Sequence, residues 1–203
     1  MVDVAFYYDF GSPNAYLVHC VLPALEARTG VGVTYVPVLL GGLFKLTGNQ
    51  APGTAFAHIK GKLAYEQLEF NRFCLRHGIA FQMNPYFPVN TLNLMRGAIA
   101  AQQLGCGEDY IRSIFIAMWQ EPRNMADPEI FSATLKTARL PADAILTAIS
   151  GSEVKAQLQR NTEAAAQLGM FGSPSLMVGN ELFFGKERLG QVEEEINRQL
   201  RTS

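Results

Sequence analysis

Apolar residues recur along this chain with two different periods, and the changes of period divide it into three parts. Val4 to Tyr8 is a short run of β-branched and aromatic residues, which predicts a buried strand. From Pro13 to Thr29 the apolar positions Leu17, Val18, Val21, Leu22 and Leu25 follow helical spacing and stop at Gly30. Pro23 falls inside that pattern. An interior proline removes a hydrogen bond and kinks the chain, so one bent helix is expected. Val33 to Leu39 predicts a second strand, and so short a strand–helix–strand unit implies parallel pairing.

The other end of the chain returns to short strands. Ser175–Val178 and Glu181–Phe184 flank Gly179-Asn180, a strong two-residue hairpin signal. A last helix is expected from about Glu187 to Leu200, with Leu189, Val192, Ile196 and Leu200 on one stripe. The middle is helical. Phe56 to His77 stops at Gly78, and Thr91 to Leu104 stops at Gly105. Tyr110 to Gln120, Asp127 to Ala138, Ala142 to Ser150 and Ser152 to Leu168 complete the series. Gly41 to Gly53 is Gly-rich and polar and is expected to be a loop. The fold class is therefore α/β: a βαβ–ββα sheet domain from residues 1–50 and 170–203, interrupted by an all-helical insertion over 51–169.

Composition narrows the function classes. At 203 residues with 48% hydrophobic and 17% charged residues, the chain can bury a substantial core and is not a disordered one. Net charge is −1 and the basic residues are scattered, which argues against a nucleic-acid surface. No apolar run approaches the roughly 18 residues that span a bilayer. No basic segment followed by a hydrophobic stretch marks the N-terminus, so a cytoplasmic location is expected. Cys20, Cys74 and Cys106 are odd in number and form no CxxC pair, which speaks against a disulfide framework or a redox dithiol. Cys20 and Cys74 lie among apolar helical neighbours and read as structural thiols. His19, His58 and His77 are far apart and lack ligand spacing, so no metal site is expected.

The junction of the first strand and helix holds the candidate chemistry. In Asp9-Phe10-Gly11-Ser12-Pro13-Asn14, Gly11 loosens the turn, Ser12 is a strong N-cap residue, and Pro13 suits the first helical position. An ordinary capped helix accounts for this segment alone. A helix N-terminus also carries partial positive charge and unpaired N–H groups, so an anion beside Ser12 would be stabilised.

A βαβ–ββα frame with an active turn after its first strand and a proline before its third is the layout of the thioredoxin fold. The proline here is Pro174, in Phe171-Gly172-Ser173-Pro174-Ser175. With its helical insertion the chain resembles the DsbA-like branch of that fold. With Ser12 in place of a first cysteine it resembles the kappa-class glutathione transferases and 2-hydroxychromene-2-carboxylate isomerases. The matching segments also include Gly41 to Asn49, Phe87-Pro88-Val89-Asn90-Thr91 and Phe183-Phe184-Gly185-Lys186-Glu187-Arg188. Each is weak alone, and their order and spacing together are specific. Two positions depart from the family pattern: Ala15 stands where a hydroxyl residue is frequent, and Glu187 where aspartate is usual.

The resemblance implies glutathione as cofactor, an enzyme active on a small aromatic electrophile or α-keto acid, and a homodimer. It implies that Ser12 donates to the glutathione sulfur as the catalytic residue, and that a cis Ser173-Pro174 bond presents the Ser173 backbone to the cysteinyl residue. Asn49, Lys186, Glu187 and Arg188 would complete the cofactor contacts, with Glu187 meeting the γ-glutamyl ammonium. Lys45 is either a surface cation or the partner of a substrate carboxylate. Phe10, Tyr86, Phe87 and Asn90 would line the substrate side, together with Phe44; Trp119, at helical spacing, is better placed in the core. The implied reaction interconverts 2-hydroxychromene-2-carboxylate and trans-o-hydroxybenzylidenepyruvate through transient thiolate addition. Alternatives are a kappa-like transferase or peroxidase acting on other electrophiles, a DsbA-like oxidoreductase, which the missing CxxC disfavours, and a non-catalytic thiol-peptide binding module.

Overall fold

A computed structural model describes residues 2–202. Strands β1 (Val4–Tyr8), β2 (Thr34–Pro37), β3 (Ser175–Val178) and β4 (Glu181–Phe184) form one sheet in the order β2-β1-β3-β4. β1 and β2 are parallel, whereas β3 runs antiparallel to both β1 and β4. The helices are α1 (Pro13–Thr29), α2 (Leu40–Thr47), α3 (Pro52–Ala55), α4 (Lys62–His77), α5 (Leu92–Gln103), α6 (Gly107–Trp119), α7 (Pro128–Thr137), α8 (Ala142–Ala148), α9 (Ser152–Gln167) and α10 (Leu189–Thr202), the last preceded by a 3₁₀ turn at Lys186–Arg188.

Side chains alternate across a strand, so the sheet has two packed faces. Val4, Phe6, Tyr8, Leu176 and Val178 join the larger core, to which α1 adds Leu17 and Leu22 and α10 adds Val192 and Ile196. Met177, with Ala5, Tyr7 and Leu182, packs into the smaller cluster with Val38, Leu43, Ala165 and Met170. The larger core continues without interruption into the helical region through Met95, Ile114, Phe115 and Trp119. Helix α9 is tied to the end of β2: Asn161 Nδ2 donates to the Pro37 carbonyl at 3.0 Å, and the Leu39 amide donates to Thr162 Oγ1 at 3.0 Å. Helices α5 and α6 approach closely at Gly97, where an added Cβ would lie 2.0 Å from Tyr110 Oη.

The sequence pattern locates β1, β3, β4 and the helices after residue 90 to within three residues at their ends. Three expectations need correction. Leu40–Thr47 is a helix, not part of a Gly-rich loop, and Leu43 is fully buried. Gly42 lies where α2 meets α9, and a Cβ there would come 3.0 Å from Thr162 Cγ2, so the glycine serves close helix approach. The long helix after residue 56 begins only at Lys62, because Gly61 has φ 82° and cannot continue a helix from the preceding turn. The second strand spans only Thr34–Pro37, since Pro37 has no N–H to donate and Leu39 already precedes α2. Helix α1, by contrast, runs as one element through Pro23, as the sequence pattern predicts.

Candidate active site

Strand β1 ends in a turn that fixes Ser12 from both sides. The Ser12 amide donates to the Asp9 carbonyl at 3.0 Å. Its backbone is extended, with φ −96° and ψ 112°, as an N-cap requires, and its Oγ accepts from the Ala15 amide at 3.2 Å. The hydroxyl itself donates to the Ser173 carbonyl at 2.8 Å. Ser12 is buried at 4% exposure and the Ser173-Pro174 peptide is cis. Ser173 returns the contact, because its Oγ accepts from the Asp9 amide at 3.1 Å. Two residues 161 positions apart in sequence therefore share one small hydrogen-bonded unit at the positive end of α1.

The remaining cofactor-side residues gather around this unit. Asn49 Nδ2 donates to the Phe171 carbonyl at 2.8 Å, which draws the segment after α2 onto the Ser173 loop. The Gly185 amide donates to the Pro174 carbonyl at 3.0 Å and places Lys186, Glu187 and Arg188 beside it. Lys186 is buried at 4%, its Nζ ion-paired with Glu187 and 5.8 Å from the ring centroids of both Phe70 and Phe73. The Glu187 carboxylate thus already holds one cation of its own chain, while most of its side chain stays exposed. Arg188 is exposed. A hollow of about 400 Å³ opens here between α4 and the end of β4, lined by Tyr65, Glu66, Glu69, Phe184, Glu187 and Arg188. A larger one, about 580 Å³, runs between α1, α4 and α10 along Cys20, Arg28, Phe73 and Glu193, and neither Ser12 nor Ser173 lines it.

On the other side of the turn lies the segment from residue 84 to residue 91. Tyr86 and Phe87 are about half exposed. Asn90 is exposed, and its Oδ1 accepts from the Leu92 amide at 3.1 Å at the start of α5. Phe87 packs 5.9 Å from Trp119, whose Nε1 donates to the Phe10 carbonyl at 2.9 Å. Thr91 presses on Gly11, with its Cγ2 3.2 Å from where a Cβ would stand. Lys45 is exposed on the last turn of α2. The Phe10 ring is fully buried against Phe115 (4.8 Å), Tyr8 and Tyr110, because Phe10, two residues past β1, continues the inward alternation of Val4, Phe6 and Tyr8. Trp119 is fully buried as well.

Two residues of the turn, Asp9 and Asn14, are not singled out by sequence reasoning. Asp9 is 1% exposed and its carboxylate accepts from the Gly11 and Leu40 amides, at 2.8 and 2.7 Å. Asn14 places its side-chain Oδ1 in a buried position with no hydrogen-bond partner among the described residues. Asp9 and Asn14 stand within the same short segment as Ser12, and only their neighbours across the fold reveal that Asp9 and the Asn14 Oδ1 are buried.

No protein thiol is poised for chemistry. Burial raises the Cys20 thiol, and it raises Cys74 and Cys106 likewise, the reverse of what a reactive thiolate needs. All three cysteines are free, and among the described residues no three His, Cys, Asp or Glu side chains converge in a metal-binding group.

Residues 3–197 match the model of the DSBA-like thioredoxin domain family. The chain belongs to the DSBA-like thioredoxin family. Within it, the chain is 28% identical over 201 residues to the 2-hydroxychromene-2-carboxylate isomerase of Pseudomonas putida, a match covering 96% of this chain and 94% of that one. It is 26% identical over 204 residues to human glutathione S-transferase kappa 1, covering 92% and 87% of the two chains. The solved structure of a 2-hydroxychromene-2-carboxylate isomerase superposes with a TM-score of 0.84 at 25% identity, over 98% of this chain and 96% of that one. This DSBA-like protein is thus similar, over most of its length, to proteins named as isomerases and as transferases. At its active turn it presents a capping hydroxyl where a dithiol oxidoreductase needs sulfur.

Proposed function

We propose that this DSBA-like protein is a glutathione-dependent isomerase that interconverts 2-hydroxychromene-2-carboxylate and trans-o-hydroxybenzylidenepyruvate. The observation that carries the proposal is the Ser12 hydroxyl, buried at the N-cap of α1 and hydrogen-bonded across the fold to the carbonyl preceding cis Pro174. A buried hydroxyl at a helix N-terminus stabilises a neighbouring anion without being consumed. Serine there supports activation of a borrowed thiol and excludes a mixed disulfide with the turn itself.

The residues present fit glutathione. Asn14 Oδ1 is a buried acceptor lacking a partner beside Ser12. The hollow at Glu187 and Arg188 offers charges of both signs, matching an amino-acid end that carries an ammonium and a carboxylate. Glutathione, when bound, supplies a thiolate that adds reversibly to a conjugated carbon and so permits rotation about the former double bond. In this reading the Ser12 hydroxyl turns its one proton from the Ser173 carbonyl to the sulfur, Ser173 presents its freed carbonyl and its amide to the cysteinyl residue, and Asn49 and Lys186 hold the walls around them. Lys45 meets the substrate carboxylate, and Tyr86, Phe87 and Asn90 flank its ring. Residues 51–169 form the helical insertion of a cytoplasmic homodimer.

The test is direct. Protein and glutathione are mixed with 2-hydroxychromene-2-carboxylate and the absorbance of the open product is followed. No glutathione-dependent spectral change refutes the isomerase. The similarity to human glutathione S-transferase kappa 1 favours a second reading, transfer of glutathione to other electrophiles. Conjugation of chlorodinitrobenzene without any isomerisation would establish that one instead.

A further inference from the structure

Asp9 brings together more of the active turn than any single residue named so far. It is 1% exposed at the end of β1. One carboxylate oxygen accepts from the Gly11 amide at 2.8 Å, within the turn itself. The other accepts from the Leu40 amide at 2.7 Å, at the start of α2, where Leu39 provides no side-chain cap. Thr91, ahead of α5, flanks the same turn, with its Cγ2 3.2 Å from where a Gly11 Cβ would stand, and it favours the Asp9 charge. The Asp9 backbone completes the set: its carbonyl accepts from Ser12 and its amide donates to Ser173 Oγ. One side chain thereby joins the Ser12 turn to α2, while its own main chain joins Ser12 to the cis-proline loop.

The chemistry calls for a carboxylate there. Two backbone donors converge on it, one on each oxygen, and an ionised carboxyl is an acceptor-only group able to receive both. Asparagine has the same shape, but its amide nitrogen would face one of those N–H groups as a second donor. Burial opposes the Asp9 charge, and the hydrogen bonds from Leu40 and Gly11, with Thr91 beside them, favour it. The absence of a side chain at Gly11 is part of the device, since a Cβ there would stand 3.3 Å from Asp9 Oδ1 and 3.2 Å from Thr91 Cγ2.

We propose that Asp9 is the positioning residue of this site, locking the Ser12 hydroxyl in register with α2, which leads to Lys45 and Asn49, and with the Ser173 loop. The inference rests on the proposed function for its kinetic consequence and stands on geometry alone for its structural one. It is tested with Asp9→Asn, Ser12→Ala and the double variant. In the protein without glutathione, Asp9→Asn should speed hydrogen exchange at the Leu40 and Gly11 amides by roughly ten-fold or more, as loss of one hydrogen bond to a charged group requires. Amides of α8 should be unaffected. In the glutathione-dependent assay, Asp9→Asn should lower kcat/KM by roughly ten-fold in the wild-type background and far less in the Ser12→Ala background, because it acts through Ser12.

Unchanged exchange at Leu40 and Gly11 overturns the proposal, whatever the enzyme acts on. Additive kinetic losses in the two backgrounds overturn it too, since a purely structural role lowers both alike. If Asp9→Asn does not fold, Thr91→Val removes the hydroxyl beside the same turn and should show smaller effects of the same kind. Absence of any glutathione-dependent turnover in wild type, with the exchange effect intact, would count against the proposed function and leave the positioning geometry standing.

Discussion

Replacing Ser12 by alanine removes one oxygen that makes two contacts. The Ala15 amide loses its side-chain acceptor, and the Ser173 carbonyl loses its donor at 2.8 Å in a site only 4% exposed. An N-cap serine changed to alanine costs about 0.5–2 kcal/mol. Leaving a buried carbonyl unpaired costs about 1–3 kcal/mol. Because Ala15 keeps its backbone bond to the Ser12 carbonyl at 3.1 Å, the carbonyl of Ser173 is the larger loss. A net destabilisation of about 2 kcal/mol is expected. For a chain of 203 residues each kcal/mol lowers the melting temperature by about 2–4 °C, so Ser12→Ala should melt roughly 4–8 °C below the wild type. Calorimetry measures this without any ligand. A hydroxyl hydrogen bond to a thiolate is worth about 1.5–3 kcal/mol, so glutathione-dependent turnover should fall by roughly ten- to a hundred-fold, measured by absorbance at saturating glutathione. A variant that melts with the wild type shows that the Ser12–Ser173 bond contributes nothing to the fold. A variant that melts low and turns over normally removes Ser12 from the chemistry.

Further outcomes follow from other parts of the structure. Gly97→Ala should cost about 1–3 kcal/mol or more, because the new Cβ would stand 2.0 Å from Tyr110 Oη in a fully buried contact; chemical denaturation would reveal it, and an unchanged midpoint would contradict the packing of α5 on α6. Burial, with Arg112 adding to it, lowers the pKa of His19 to about 4 from 6.5, while its Nδ1 contacts Tyr35 Oη at 2.9 Å. The unfolded chain therefore takes up the proton first as pH falls, so this contribution to stability is whole above about pH 6.5 and is lost toward pH 4, at up to about 1.4 kcal/mol per pH unit. Urea midpoints at a series of pH values should show that slope in the wild type and a shallower one in His19→Gln; equal slopes would refute it. Lys186→Ala should loosen α4, of whose side chains only Phe70 is buried, so hydrogen exchange at Phe70 and Phe73 should quicken more than in α5. Uniform exchange across the two helices would show that Lys186 does not anchor α4.

The local pattern of the sequence reached far into the fold because most of its elements are specified by local signals. The β-branched and aromatic run of Val4–Tyr8, the short apolar strand Ser175–Val178, the Gly179-Asn180 turn and the apolar stripes of the helices after residue 90 are all written in neighbouring residues. The Ser12-Pro13 cap was legible for the same reason, since capping is a matter of a few adjacent residues. The Gly41–Gly42 segment failed because Gly42 marks the contact of α2 with Thr162, 120 residues away, and not a loop. Phe10, two positions past β1, extends the alternation of Val4, Phe6 and Tyr8 into the core, but only the folded chain shows the helical residues Tyr110 and Phe115 that cover its ring.

By itself, the sequence determined the element types, the absence of a redox dithiol, and a serine at the positive end of the first helix. Tertiary structure alone decided that Ser12 donates to Ser173, that Lys186 is buried against Phe70 and Phe73 with Glu187 as its partner, and that the Gly11 and Leu40 amides converge on Asp9. Capping and periodicity act over a few residues and are written in neighbouring positions. Hydrogen bonds across a fold depend on where distant segments meet, and the burial that gives those bonds their strength exists only once the chain has folded.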